Sequence, residues 1–313
     1  MMALKLGLVG VGVIAKAQHL PVLAVSEDFD LVAIASRNAT VEGVRSYATL
    51  AEMLAGSPEI EAVSLCTPPA ARTPDARRAL QAGKHVLLEK PPGATLSEVE
   101  ELIALAARHR ITLNASWHSR HAPGVAAARA WLADKTIRSV AIEWREDVRH
   151  WHPGQDWIFA AGGFGVFDPG INALSIVTHI LPAPFALQRA TLGFPENRQA
   201  PIVAALDLAG ADGSAIHADF DFLQQGPQTW DIRVETDAGP LALQQGGARL
   251  RIGGADATPP PSHDLLRGEY GGVYAEFARL IAAGESGVDL APLRHVADAF
   301  MLGARSAAPP FHF

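Results

Sequence analysis

The feature that most limits what this chain can become is Gly10-Val11-Gly12-Val13-Ile14-Ala15, a GxGxxA turn. It follows an apolar run, Leu4 to Val9, and opens a helical pattern from Ile14 to Val25. In that setting each small residue has a reason. Gly10 permits the tight turn, Gly12 lets the backbone approach a pyrophosphate, and Ala15 lets the helix pack closely on the strand. The helix start then offers N–H groups and the positive end of its dipole to phosphate. This predicts a parallel α/β sheet that binds a dinucleotide. A second run, Leu31 to Ala35, ends at Ser36-Arg37-Asn38, where an NAD-selective site carries an acidic residue for the ribose hydroxyls. Ser36 is neutral and Arg37 cationic, so NADP is favoured over strict NAD, with use of both expected. The plain alternative for Arg37 is a solvated surface arginine.

The rest of the first 120 residues keeps the alternation. Ala62 to Cys66 is apolar and stops at Thr67-Pro68-Pro69, since proline cannot continue a ladder. Ala70 to Ala82 reads as a helix closed by Gly83, Val86 to Leu88 as a strand ending at Glu89-Lys90-Pro91-Pro92, and Leu96 to Arg110 as a helix capped by Thr95. Ile111 to Ser116 is the last strand. Continuous apolar strands between helices imply a doubly wound parallel sheet covered on both faces.

Beyond about residue 120 the pattern changes. Val125 to Leu132 is helical, Val140 to Val148 alternates like a half-buried strand, and residues 149–166 read as a structured loop rich in Gly and Trp. Asp168 to Ile180 fits a helix. From about 185 to 252 strand-like runs broken by Gly, Pro and Asp imply a mostly antiparallel open sheet. Tyr270 to Ala283 and Leu293 to Ala304 are helical, and Pro259-Pro260-Pro261 is a candidate rigid loop. The expected division is 1–120 for a dinucleotide-binding Rossmann domain and 121–289 for an α+β substrate domain. A C-terminal helix at about 290–306 is a candidate to pack back on the first.

At 313 residues the chain has room for about two domains. A formal net charge of −7 gives no support to nucleic acid or an anionic membrane as partner. Cys66 is the only cysteine, so no intrachain disulfide forms, and a reducing, cytoplasmic setting is expected. No apolar run reaches the length of a bilayer span. Without HExxH or a cysteine pair, no metal is expected.

Several polar residues stand out. Lys90 lies at the carboxyl end of a parallel strand, where ligands of open α/β sheets bind; its bland reading is a salt bridge with Glu89. Asp168, Asn172, Ser175 and His179 share one helix face. Asp168 is either an N-cap or a functional carboxylate, and His179 is a dipole-compensating histidine rather than a ligand. Glu146 falls on the apolar face of its strand with Val140, Ile142 and Trp144. It therefore needs partners, either sugar-like hydroxyls or an internal arginine. Asp147 points the other way, toward solvent. Trp151 and Trp157 offer flat faces for a ring or ordinary loop packing. His118 and His152 are possible hydroxyl partners.

The GxGxxA turn, the Cys66-Thr67-Pro68-Pro69 stop and the run Gly83-Lys84-His85-Val86-Leu87-Leu88-Glu89-Lys90-Pro91 together resemble the glucose–fructose oxidoreductase/inositol dehydrogenase family. The second half is similar to its bacterial aldose 1-dehydrogenases through His118, Glu146-Asp147, Trp151-His152-Pro153-Gly154-Gln155-Asp156-Trp157 and Gly165 to Leu174. The resemblance implies that Lys90 lies beside the nicotinamide and touches the reacting oxygen. Many members carry a histidine where this chain has Asn172; asparagine cannot shuttle a proton, and the sugar 1-dehydrogenases share it. The expectation is oxidation of the C1 hydroxyl of L-arabinose or D-galactose to a lactone with NADP or NAD. Lys90 and Asp168 would handle the proton, with Asn172 orienting the hydroxyl. Cofactor contacts are expected at Gly10, Gly12, Val13, Ile14, Ser36, Arg37, Cys66, Thr67, Pro68, Glu89 and Lys90. Sugar contacts are expected at Lys90, His118, Glu146, Trp151, His152, Asp168 and Asn172. The resemblance also implies a homodimer through the second-domain sheet. Another polyol or dihydrodiol dehydrogenase on the same scaffold, or a non-catalytic dinucleotide sensor, remains open.

Overall fold

In the computed structural model, which describes residues 2–260 and 262–313, the glycine turn leads from the first of six parallel strands into the first helix. The strands are β1 (Leu4–Val9), β2 (Phe29–Ala35), β3 (Arg45–Tyr47), β4 (Ala62–Leu65), β5 (His85–Leu88) and β6 (Leu113–Ala115), in the order β3-β2-β1-β4-β5-β6. The helices that follow them are α1 (Leu20–Leu23), α2 (Leu50–Gly56), α3 (Pro69–Gln81) and α4 (Leu96–His109). Both faces of the sheet are covered. Val9, Ala35, Val63 and Leu65 pack with Leu50, Met53, Ala76, Leu80 and Leu102 on one face. Leu6, Leu8, Ile34 and Leu87 pack on the other with Val22, Tyr270, Val273, Tyr274 and Phe277.

Two local differences from the expected elements stand out. The helix expected over 14–25 contains a π turn, Ala15–His19, before α1 and ends at Leu23. Pro21 has no N–H to give a regular ladder. The β3–α2 pair lies outside the expected elements, although Thr49 caps α2 by accepting the Glu52 N–H, a cap that Thr-x-x-Glu announces. Thr95 and Glu98 form the full capping box at the start of α4.

Two compact units emerge, Met1–His118 with Ser262–Asp289, and Ser119–Pro261 with Leu290–Phe313. This corrects the expected division. The segment that returns to the first unit carries the helix Glu269–Ala283, not the one at about 290–306. Tyr270, Val273, Tyr274 and Phe277 recur at helical spacing and are all buried on the parallel sheet. Pro261, part of the candidate rigid loop, lies outside the described residues.

The second unit holds α5 (Val125–Leu132), β7 (Ile137–Arg145), α6 (Val148–Trp151), α7 (Phe167–Ile180) and strands β8 (Phe185–Pro195), β9 (Val203–Gly210), β10 (Ala215–Asp221), β11 (Thr229–Thr236), β12 (Gly239–Gln244), β13 (Arg249–Ile252) and β14 (Ala255–Asp256). After α8 (Glu269–Ala283) of the first unit come α9 (Ala291–Leu302) and β15 (Ala304–Ala308). The sheet order is β14-β13-β12-β11-β7-β10-β9-β8-β15, antiparallel except for β7–β10 and β8–β15. β7 begins earlier than expected and stops at Arg145; Val148 opens α6 instead of ending the strand. One face is apolar, with Ile142, Trp144, Leu206, Ile216, Phe220 and Ile232 buried. The other face carries ion pairs such as Arg145–Asp219 and Arg189–Asp207. No helix among the described residues is long and apolar enough to cross a membrane.

Candidate functional site

In the first unit the glycine turn packs on the end of β4. Gly10 has φ +88°, and a Cβ there would lie 3.0 Å from the Thr67 amide nitrogen and 3.1 Å from the Cys66 carbonyl carbon. Glycine is therefore required on two counts. Gly12 is different: a Cβ there meets nothing within 4 Å, so its backbone faces open space. Val13 and Ile14 are exposed beside it, and Ala15 is fully buried against the sheet. Across the turn, Thr67 Oγ1 is buried without a hydrogen-bond partner in the protein. An open glycine backbone at a helix start and a buried hydroxyl lacking a partner fit a phosphate-bearing ligand, which supplies acceptors for both. Pro68 stands just before α3 as its N-cap residue, and Cys66 is partly buried. At the end of β2 the Ser36 N–H donates to Tyr47 O at 2.9 Å, and Arg37 is exposed.

The Glu89-Lys90-Pro91 turn is held from behind. Arg72, only 2% exposed, donates from Nε to Thr67 O at 3.0 Å and from Nη1 to the carbonyls of Glu89 and Pro91. One guanidinium thus ties together the loops after β4 and β5. Glu89 is buried. Its Oε1 accepts from Tyr270 Oη at 2.6 Å and from His19 Nε2 at 3.2 Å, and its Oε2 accepts the Lys90 backbone N–H. Burial alone would raise this carboxyl, but His19, His118 and Tyr270 outweigh it and hold it at about 2. Burial would lower the His19 imidazole, yet Cys66, Tyr274 and Glu89 hold it well above its ordinary value. Both Glu89 oxygens are thus engaged within the first unit, and Glu89 reaches Lys90 through the main chain. The Lys90 N–H also donates to Ser116 Oγ at 3.1 Å, and the Lys90–Pro91 peptide is cis. His118 stacks on Tyr270 at 5.1 Å, with its Nδ1 2.5 Å from Glu269 Oε2.

In the second unit two buried carboxylates flank one histidine. Glu146, 2% exposed, accepts from Trp230 Nε1 at 2.9 Å, a partner besides the hydroxyls or arginine expected. His152 Nε2 lies 3.8 Å from Glu146 Oε1 and 3.7 Å from Asp168 Oδ2. Asp168, 4% exposed, is not the cap of α7: Val166 is, with no side-chain capping bond. Its burial in the first turn is that of a carboxylate facing other groups. Asn172 follows one turn later and is partly exposed; its carbonyl accepts from Ser175 Oγ at 2.7 Å. Ser175 is buried, and His179 lies 3.4 Å from Arg129. Asp147, expected in solvent, caps α6 by accepting the Arg149 N–H. Trp151 is 39% exposed and leans on Trp230, ring centres 5.1 Å apart, while Trp230 stacks on Trp144 at 5.8 Å. Trp157 is half-buried in the one-turn helix Asp156–Phe159.

Comparison with known proteins places this arrangement. The profile described as "Oxidoreductase family, NAD-binding Rossmann fold", which covers glucose–fructose oxidoreductase and inositol dehydrogenase, matches residues 4–115. The galactose 1-dehydrogenase of Pseudomonas fluorescens is 43% identical over 312 residues, covering 100% of both chains. The chain belongs to the glucose–fructose oxidoreductase/inositol dehydrogenase family. A crystal structure of a D-galactose-1-dehydrogenase protein from Rhizobium etli, 58% identical, matches with a TM-score of 0.94 over 100% of this chain and 99% of that one. A 3-ketoreductase from Actinomadura kijaniata shares the fold at 20% identity and a TM-score of 0.82.

Within this oxidoreductase, sequence reading missed His19, Arg72, Tyr270, Tyr274 and Trp230. A signal existed for each. His19 follows Ala15 by four residues, Arg72 precedes Ala76 by four, and Tyr270 and Tyr274 precede Phe277 at helical spacing. All of these positions are buried. Trp230 alternates with Ile232 and Val234 on one face of β11, and it pairs directly with Trp144.

Proposed function

We propose that this oxidoreductase is an aldose 1-dehydrogenase that oxidises the C1 hydroxyl of D-galactose or L-arabinose to the aldonolactone. The observation that carries the reading is identity along the whole chain, 43% to one galactose 1-dehydrogenase and 58% to a second. The two sugars share most of their ring configuration and differ by a hydroxymethyl group, so one set of contacts serves both.

The nicotinamide of a bound dinucleotide supplies the hydride acceptor. Gly10, Gly12, Val13, Ile14 and Thr67 would hold its phosphates, and Ser36 with Arg37 favours NADP while admitting NAD. What remains for the protein is to hold the ring and take one proton from the C1 hydroxyl. Lys90 and Asp168 are the proton-handling groups, and Asn172 orients the hydroxyl, since an amide donates and accepts hydrogen bonds without exchanging a proton. Glu146 and His152 serve the remaining hydroxyls. Trp151, exposed and backed by Trp230, offers its face to the C–H side of the ring.

The test is steady-state reduction of both dinucleotides with D-galactose, L-arabinose, D-fucose and myo-inositol. The three aldoses are expected to be turned over and myo-inositol is not. A preference for myo-inositol, or reduction with none of the four, overturns the reading.

A further inference from the structure

Behind Lys90, wholly within the first unit, lies a buried polar cluster to which the proposed function gives no part. His19 is 0% exposed and comes from the helical turn after the glycine loop. Its Nδ1 is 2.8 Å from Tyr274 Oη, and that hydroxyl donates to Ser64 Oγ at 3.3 Å. Its Nε2 meets Glu89 Oε1 at 3.2 Å, the oxygen that Tyr270 Oη also reaches, at 2.6 Å. The other Glu89 oxygen takes the Lys90 N–H. The imidazole is packed edge-on against Tyr270 at 4.8 Å and Tyr274 at 5.7 Å. A buried ion pair adds little to stability over an apolar filling of the same space, so its worth here is directional. Three segments converge on one carboxylate: the turn after the phosphate loop, the end of β5, and the returning helix α8.

We propose that His19 and Tyr270 are positioning residues that lock the Glu89 carboxylate, and through it the main chain of Lys90, so that the Lys90 side chain starts from one fixed place. The functional half of this inference rests on the role given to Lys90 above. Tyr270 further couples Glu89 to His118, which stacks on its ring and pairs with Glu269. The titratable groups around the pair are Cys66, Tyr270 and Tyr274 beside His19, and His118 with Glu269 beyond Tyr270.

Two variants of the full chain test this, Tyr270→Phe and His19→Gln. The first deletes one hydroxyl and keeps the packing. It is expected to lower kcat roughly tenfold, the loss of one hydrogen bond to a charged group, with dinucleotide Kd, read by fluorescence titration, little changed. In His19→Gln, burial of Glu89 is left less opposed and its carboxyl moves up. A protonated Glu89 holds the Lys90 N–H more weakly, so the acid-side fall of kcat is expected to begin at higher pH than in the unmodified protein. Both variants are expected to shift the Lys90 backbone amide resonance, a readout that needs neither sugar nor dinucleotide. If the unmodified protein oxidises no sugar, the proposed function fails, while the Lys90 resonance still decides the positioning claim. A Lys90 amide unmoved in Tyr270→Phe overturns the proposal. So does a kcat loss that only tracks dinucleotide affinity and thermal stability.

Discussion

Arg72→Met removes three kinds of donated hydrogen bond and leaves a side chain of similar reach in the same buried space. In the unmodified protein the guanidinium serves the carbonyls of Thr67, Glu89 and Pro91 from a site only 2% exposed. Water has little access to replace it. A hydrogen bond from a charged donor contributes about 1.5–3 kcal/mol, and an acceptor left buried without a partner costs about 1–3 kcal/mol. The losses are not additive because the loops relax, so a destabilisation of about 3–5 kcal/mol is expected, as when one member of a buried charged network is removed. The assay is urea unfolding with amide hydrogen exchange read at β4 and β5. Opening of those two strands should become easier by the same amount, and dinucleotide affinity should fall because Thr67 loses its anchor. A change below about 1 kcal/mol, the size of a single ordinary hydrogen bond, together with unaltered exchange at β4 and β5, would refute the view that Arg72 braces the two loops.

Arg37→Ala should raise KM for NADP+ about tenfold or more and leave NAD+ nearly unchanged, the loss of one charge-assisted hydrogen bond; equal effects on both would remove Arg37 from the 2′-phosphate. Asp168→Asn and Asn172→Ala should each damage kcat/KM, and their double-mutant cycle should be far from additive because groups that act as a unit lose most of their effect together. Simple additivity, or unfolding of both variants, would make that helix face structural. Glu89, held at about 2, stabilises the fold above the ordinary carboxylate range and loses that contribution as pH falls toward 2, so Glu89→Gln should flatten the acid side of the stability profile. Its partner His19 has the opposite sign: its contribution is present below its ordinary value and is lost as pH rises through the higher folded one.

The Rossmann half was legible because its signals are local. Gly10 and Gly12 fix a backbone shape, and short, nearly continuous apolar runs mark strands covered on both faces. The antiparallel half was legible as a class but not in its ends. Glu146 lies one residue past β7, and the alternation of Val140, Ile142 and Trp144 runs through it without a break. Side-chain partnerships were the least readable. That Glu146 meets Trp230, 84 residues on, or that His19 meets Tyr274, 255 residues on, follows from strand pairing and from a returning helix, neither of which periodicity reveals. Periodicity did mark these residues as buried, and a buried polar residue without a local partner is itself the signal to look for a distant one. The domain division failed for the same reason: the apolar face of α8 needed a sheet to cover, and the sequence does not say which.

The most direct test of the central claim is turnover of D-galactose carrying deuterium at C1. Oxidation at C1 moves that deuterium to the nicotinamide and leaves a lactone free of it, detected by mass spectrometry of both products. Deuterium retained in the sugar product, or no reduced dinucleotide formed, would contradict the account.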